Sequence, residues 1–139
     1  MKNLANCKPS EFLKQTNRIR KSVEKWLDVT DIMAIRRRAP EYTTVPVGAD
    51  EETRKSIGEA NIKLRNEQAK KNISAILDEV LEKHPDETLE VLALCSFVEP
   101  ENVDDYSVSD YLNSFTELVN NEAVIGFFSL LMQAVQTNT

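Results

Sequence analysis

The sequence predicts an all-α protein, a compact bundle of five or six helices with one longer loop at about residues 39–50. Three observations lead there. The 139 residues hold only three glycines and no alternating Val/Thr/Tyr segment of the kind that builds strands. Apolar residues recur instead at steps of three and four, the period of a helix with one face turned to a core. The periodic segments are separated by short polar corners carrying Pro, Asn or Asp, residues that start and stop helices. The length fits a single helical domain spanning residues 1–139, basic over helices 10–38 and acidic over the helical part 51–139.

The first helix spans about 10–27. Ser10 is its expected N-cap, and Glu11 puts a carboxylate in the first turn, where the helix dipole favours it. Phe12, Thr16, Ile19, Val23 and Trp26 form a single apolar stripe, and Lys14, Arg18, Lys21 and Lys25 lie off it. Thr30 is the expected cap of a short second helix ending in Arg36-Arg37-Arg38, with Pro40 terminating it. Residues 39–50 hold two prolines and a glycine and read as a loop, and Asp50 can cap the third helix. That helix is long, firm from about 60 to 83, with the part before Gly58 frayed or separate. Pro85 stops it and opens another helix. Leu89, Val91, Leu92, Ala93, Leu94, Cys95, Phe97 and Val98 cover that helix on nearly every side, so it should be central. After an acidic break at 99–105, Ser107 or Ser109 caps a helix with Tyr111/Leu112, Phe115 and Leu118/Val119 expected on its buried side. Asn120-Asn121-Glu122 makes a corner in which Asn121 can cap the last helix.

That last segment, Ala123 to Val135, has ten apolar residues in thirteen, eight of them large. Full burial of those eight would be worth roughly 12–24 kcal/mol gross. The segment is shorter than the roughly 20 apolar residues a bilayer span requires. It is therefore a core helix or a surface made for another chain. Val124, Phe128, Leu131 and Val135 share one face, while Phe127, Leu130, Met132 and Ala134 reach round to others. A small domain has trouble burying both. One face is expected on 89–98 and 111–119 and the other against a partner, with Val124, Phe127, Phe128, Leu131 and Val135 as candidate contacts. Which face does which stays open.

The net charge of −6 argues against whole-molecule affinity for nucleic acid or anionic membrane. It hides an asymmetry. Residues 1–38 carry ten cations against four acids, net +6, and residues 39–139 carry seven against nineteen, net −12. The two parts can attract within one molecule or head-to-tail between copies, which would give a homo-oligomer. Lys14, Arg18, Lys21, Lys25, Arg36, Arg37 and Arg38 form a basic strip that could meet phosphate, although a solvated face is the plainer reading. A small nucleic-acid-binding regulator using the basic N-terminal helix is the alternative function.

No residue set points to catalysis. The one histidine, His84, sits in the last turn of a helix, where an imidazole suits the C-terminal dipole. Cys7 and Cys95 lie at no metal or redox spacing. Asp104/Asp105, Glu51/Glu52 and Asp86/Glu87 occupy helix starts or polar breaks, where acids cap and solvate. Three isolated glycines build no phosphate loop. No catalytic residue, metal or cofactor is expected, and the N-terminal residues show no secretory apolar run, so a cytoplasmic protein without a membrane partner is the expectation.

Four stretches carry a family likeness: Lys8–Asn17 (KPSEFLKQTN), Leu89–Val103 (LEVLALCSFVEPENV), Tyr111–Phe115 (YLNSF) and Glu122–Leu130 (EAVIGFFSL). Together they resemble the small helical tail assembly chaperones of tailed phages and prophages in Gram-positive bacteria. The likeness runs over most of the chain, least over 39–66, and is a helical pattern with no invariant motif. It implies a non-enzymatic protein of the bacterial host's cytoplasm that binds the long tape measure protein, keeps it soluble and recruits tail tube subunits. It also implies self-association around the client and, in many members, a longer form made by ribosomal frameshifting. No site residue is carried over from it.

Overall fold

The protein is all-α, as the glycine-poor, period-3.6 sequence predicted. The computed structural model describes residues 1–137, with side chains through Ala134. The helices are α1 (Pro9–Thr30), α2 (Ile32–Arg36), α3 (Glu51–Leu77), α4 (Pro85–Cys95), α5 (Val108–Val119) and α6 (Glu122–Thr137). A π segment, Asp78–Lys83, continues α3, and a 3-10 segment, Pro100–Asp105, precedes α5. No strand occurs among the described residues. The chain divides into two compact units: Met1–Trp26 together with the chain from Asp86 onward, and Leu27–Pro85.

In the first unit α1 begins slightly earlier than its sequence suggested. Pro9 opens the helix, where its missing N–H costs nothing, and Phe12 N–H donates to the Lys8 carbonyl at 2.8 Å. Ser10 is therefore inside the helix. Glu11 still serves the N-terminus, accepting from Lys8 N–H at 3.2 Å while pairing with the Lys2 ammonium. Those contacts hold its carboxyl below the usual carboxylate range. The apolar stripe of α1 is only partly buried. Within this unit its buried positions are polar: Gln15 and Ser22. Gln15 Nε2 donates to the Leu94 carbonyl at 2.7 Å, tying α1 to the end of α4.

Helix α4 is central only in its C-terminal half. Ala93, Leu94 and Cys95 are buried, and Leu89 is exposed. The helix ends in a Schellman turn, Val98 N–H to Ala93 carbonyl (3.0 Å) and Phe97 N–H to Leu94 carbonyl (3.2 Å), with Phe97 left-handed at φ 56°. Ser107 caps α5 through a full capping box with Asp110. Ser107→Ala is expected to cost about 1 kcal/mol, read as a lower urea midpoint at unchanged slope; no shift would mean the box is not formed in solution.

The buried line of α5 is Tyr111, Ser114 and Leu118. Leu112, Phe115 and Val119, expected inside, are 53%, 45% and 46% exposed. The apolar arc of this helix is too wide to fix its rotation. The inward face is the one with polar partners: Asn3 Nδ2 donates to Ser114 Oγ at 3.2 Å, and the Tyr111 hydroxyl donates to the Val103 carbonyl at 2.6 Å. Asn121 caps α6, its Oδ1 accepting from Val124 N–H at 3.0 Å. Leu4, Leu118 and Val124 make one core cluster and Ala93, Val98 and Tyr111 a second.

In the second unit Thr30 is the fully buried last residue of α1 and does not cap α2. The N-cap of α2 is Asp31, left-handed at φ 54°. Its helix stops at Arg36, short of the expected 38, and Ile35 is its buried residue. Asp50 caps α3, accepting from Thr53 N–H at 2.7 Å. The helix is continuous from Glu51 through Gly58, so the part before Gly58 is neither frayed nor separate. The 39–50 segment is held to α3 by Asn61, whose side chain accepts from Thr43 N–H (2.9 Å) and donates to its carbonyl (3.0 Å).

Candidate functional site

Helix α6 stands as a ridge between two hollows of the first unit. The larger, about 640 Å³, has Leu4, Cys95, Leu118 and Val124 at its floor. Ile19 of α1, Val119 of α5 and Ile125, Phe128 and Met132 of α6 complete its walls, with Ser129 the one polar residue. The smaller, about 430 Å³, lies on the Cys7, Phe12, Leu13 and Phe127 side. Phe12, Phe127 and Phe128 form an aromatic triad between them, with an edge-on Phe12–Phe127 contact at 5.2 Å between ring centroids.

The five candidate contacts therefore divide. Val124 is 8% exposed and belongs to the core, a correction forced by its position above Leu4 and Leu118. Phe127 and Phe128 are half-buried against Phe12, and Leu131 is exposed. The side chain of Val135 lies outside the described residues. Ile125, Leu130 and Met132 are exposed as well, so the outward apolar surface of α6 is wider than the sequence face implied.

A second exposed stripe was missed. Val108, Leu112, Phe115 and Val119 follow each other at steps of 4, 3 and 4 along α5, and Val108 is 70% exposed. The stripe is about 16 Å long at 1.5 Å per residue, and at Val119 it runs into the larger hollow. Single exposed apolar side chains are ordinary. Contiguous exposed apolar surfaces are uncommon on monomeric proteins and are the usual form of contact sites.

The basic residues do not act as one strip. Arg18 grips Glu99 with both guanidinium nitrogens at 2.9 and 2.8 Å, and Lys25 reaches Glu90 at 3.6 Å. The Arg18 guanidinium holds the Glu99 carboxyl below its usual range. Lys14 and Lys21 are exposed on the same helix. Arg36, Arg37 and Arg38 are exposed in the other unit, where the Arg38 carbonyl accepts from Asn72 Nδ2 at 3.0 Å. His84 follows the π segment, its N–H donating to the Glu79 carbonyl at 2.9 Å and its Nε2 3.7 Å from the Glu79 carboxylate.

Burial pushes the Cys95 thiol up to about 11, and burial also raises Cys7. The thiolate is the reactive form. At pH 8 Cys95 should react with iodoacetamide at least tenfold more slowly than the more open Cys7, by mass spectrometry of the two peptides. Equal rates would mean the floor of the larger hollow is open to water. No group of three or more His, Cys, Asp or Glu that could hold a metal ion occurs among the described residues, and no helix there is long and apolar enough to cross a membrane. Comparison with family models, curated proteins and solved structures finds no match to this chain.

Proposed function

We propose that this protein is a non-enzymatic assembly chaperone or scaffold that holds an apolar helix of another protein in the groove between α1, α5 and α6. The observation that carries this reading is the α5–α6 surface: a nearly all-apolar hollow of about 640 Å³ continuous with the exposed Val108–Val119 stripe. Such a surface matches helix-in-groove recognition, in which anchors at i, i+3/4 and i+7 enter an apolar trough. The resemblance to tail assembly chaperones names the client as a tape measure protein, with tail tube subunits recruited alongside. The cytoplasm of a bacterial host is the compartment that goes with it. The nucleic-acid alternative through α1 has less in its favour, since Arg18 and Lys25 are engaged by Glu99 and Glu90.

The test is co-purification of the tape measure protein with the wild type, with Phe115→Asp and with Met132→Asp. Both exposed positions accept a carboxylate without unfolding, so far-UV helicity stays and at least nine tenths of the bound client should be lost. Undiminished co-purification by both variants would refute the groove. A neighbouring gene pair, a major tail protein before and a very long gene after, would independently support the tail assignment.

A further inference from the structure

We infer that the groove selects its occupant by charge as well as by apolarity, and that the occupant is an amphipathic helix whose apolar stripe is flanked by lysine or arginine. This rests on the groove reading above and adds the chemistry of the partner. After Lys83 the chain contains no lysine or arginine at all, yet it carries ten acids. Six of these sit on α5, α6 and the lead-in to α5, and four of the six flank the two ends of the stripe. Asp104, Asp105 and Asp110 lie at its Val108 end. Glu122 opens α6, three residues from both Val119 and Ile125. No ion pair reaches any of the four among the described residues.

Three of the five cations of α1 are already paired, and no ion pair joins the other two, the exposed Lys14 and Lys21, to the four carboxylates. Arg18 and Lys25 are taken up by Glu99 and Glu90, and Arg20, the residue following the groove-lining Ile19, is paired to Glu24 at 2.8 Å. An incoming helix therefore meets an apolar trough with uncompensated carboxylates at both ends of its open side. An acidic occupant would place like charges beside these groups, and a basic one would satisfy them. Beyond Glu122, α6 itself is uncharged, so a second copy of this helix would supply nothing to those carboxylates.

The experiment uses the full chain and two synthetic helical peptides of about 18 residues, long enough to be helical when bound. They carry the same leucine spacing, one with lysine and the other with glutamate at the flanking positions. Fluorescence anisotropy at low and high salt gives the affinities, and alkylation of Cys95 at the groove floor reports occupancy. The lysine peptide is expected to bind at least tenfold more tightly, to lose much of that advantage in high salt, and to protect Cys95. Glu122→Lys with Asp110→Asn should shrink the preference, and Met132→Asp should weaken both peptides. Equal affinities overturn the charge selection and leave the groove standing. Failure of both peptides to bind overturns the groove reading itself. If light scattering finds a dimer that Phe115→Asp dissociates, a second copy is the occupant and the inference is wrong.

Discussion

Val124→Asp is expected to unfold the unit built from α1, α4, α5 and α6, whereas Met132→Asp, eight residues later on the same helix, should leave it folded. Val124 is 8% exposed and sits with Leu4 and Leu118, with Phe12, Ile19 and Phe97 packed around the three. A carboxylate there loses the valine's burial and has no cation to meet. Together these cost roughly 4–6 kcal/mol. That is comparable to the whole stability of a small domain, about 5–15 kcal/mol. Met132 is 59% exposed, so its substitution should stay within about 0.5 kcal/mol. Far-UV helicity, with the fluorescence of Trp26 as a local probe, separates the two. Trp26 reports the right unit because its Nε1 donates to Thr88 Oγ1 at 2.8 Å, joining α1 to α4. A Val124→Asp protein that melts like the wild type would mean that α6 does not pack where it is described.

The contrast between these two residues also shows what the amino-acid order made legible. Local signals were readable because they act over three or four residues: Asp50 and Asn121 as caps, Ser107 as one of two cap candidates, Pro85 between helices. Helix rotation was not readable where the apolar arc exceeds what one face can bury. On α5 both Tyr111/Leu118 and Leu112/Phe115/Val119 are apolar, and only the first pair is inside. The inward face is the one that meets Asn3, more than a hundred residues away in sequence, through Ser114, and that the Tyr111 hydroxyl ties to the Val103 carbonyl at 2.6 Å. No periodicity reports such a contact. The same holds for Gln15, a buried amide on the stripe side of α1 that reads as a surface residue until Leu94 supplies its acceptor. The apolar ridge of α6 was legible as an excess of apolar side chains, but the groove was not. It exists because α5 turns its second stripe outward while Tyr111, Ser114 and Leu118 face in.

Asn3→Leu should therefore be the most damaging polar-to-apolar change in the N-terminal segment. Leucine keeps asparagine's branching at Cγ but its methyls are bulkier than the amide atoms, so some packing strain adds to the polar loss. Asn3 is 0% exposed. Its Oδ1 accepts from Ala5 N–H at 2.7 Å, its Nδ2 donates to Ser114 Oγ at 3.2 Å, and its own N–H donates to Asn6 Oδ1 at 2.9 Å. Leucine keeps only the last of these. The Ala5 N–H and the Ser114 hydroxyl are then left without partners, at about 1–3 kcal/mol for each group that water cannot reach, and a net loss of roughly 2–4 kcal/mol is expected. Ser114→Ala, which removes the hydroxyl but leaves the Ala5 bond intact, should cost about 1 kcal/mol. The local consequence comes through Leu4, the next residue, which lines both hollows beside α6. Once Asn3 no longer fixes the segment, Leu4 loosens from the floor and Cys95 should become alkylatable several-fold faster, in conditions where helicity is still native. Urea unfolding and timed alkylation of the same variant test the two parts. A stable Asn3→Leu protein with Cys95 still protected would show that apolar contacts alone, and not this buried amide, set the rotation of α5 and so the shape of the groove.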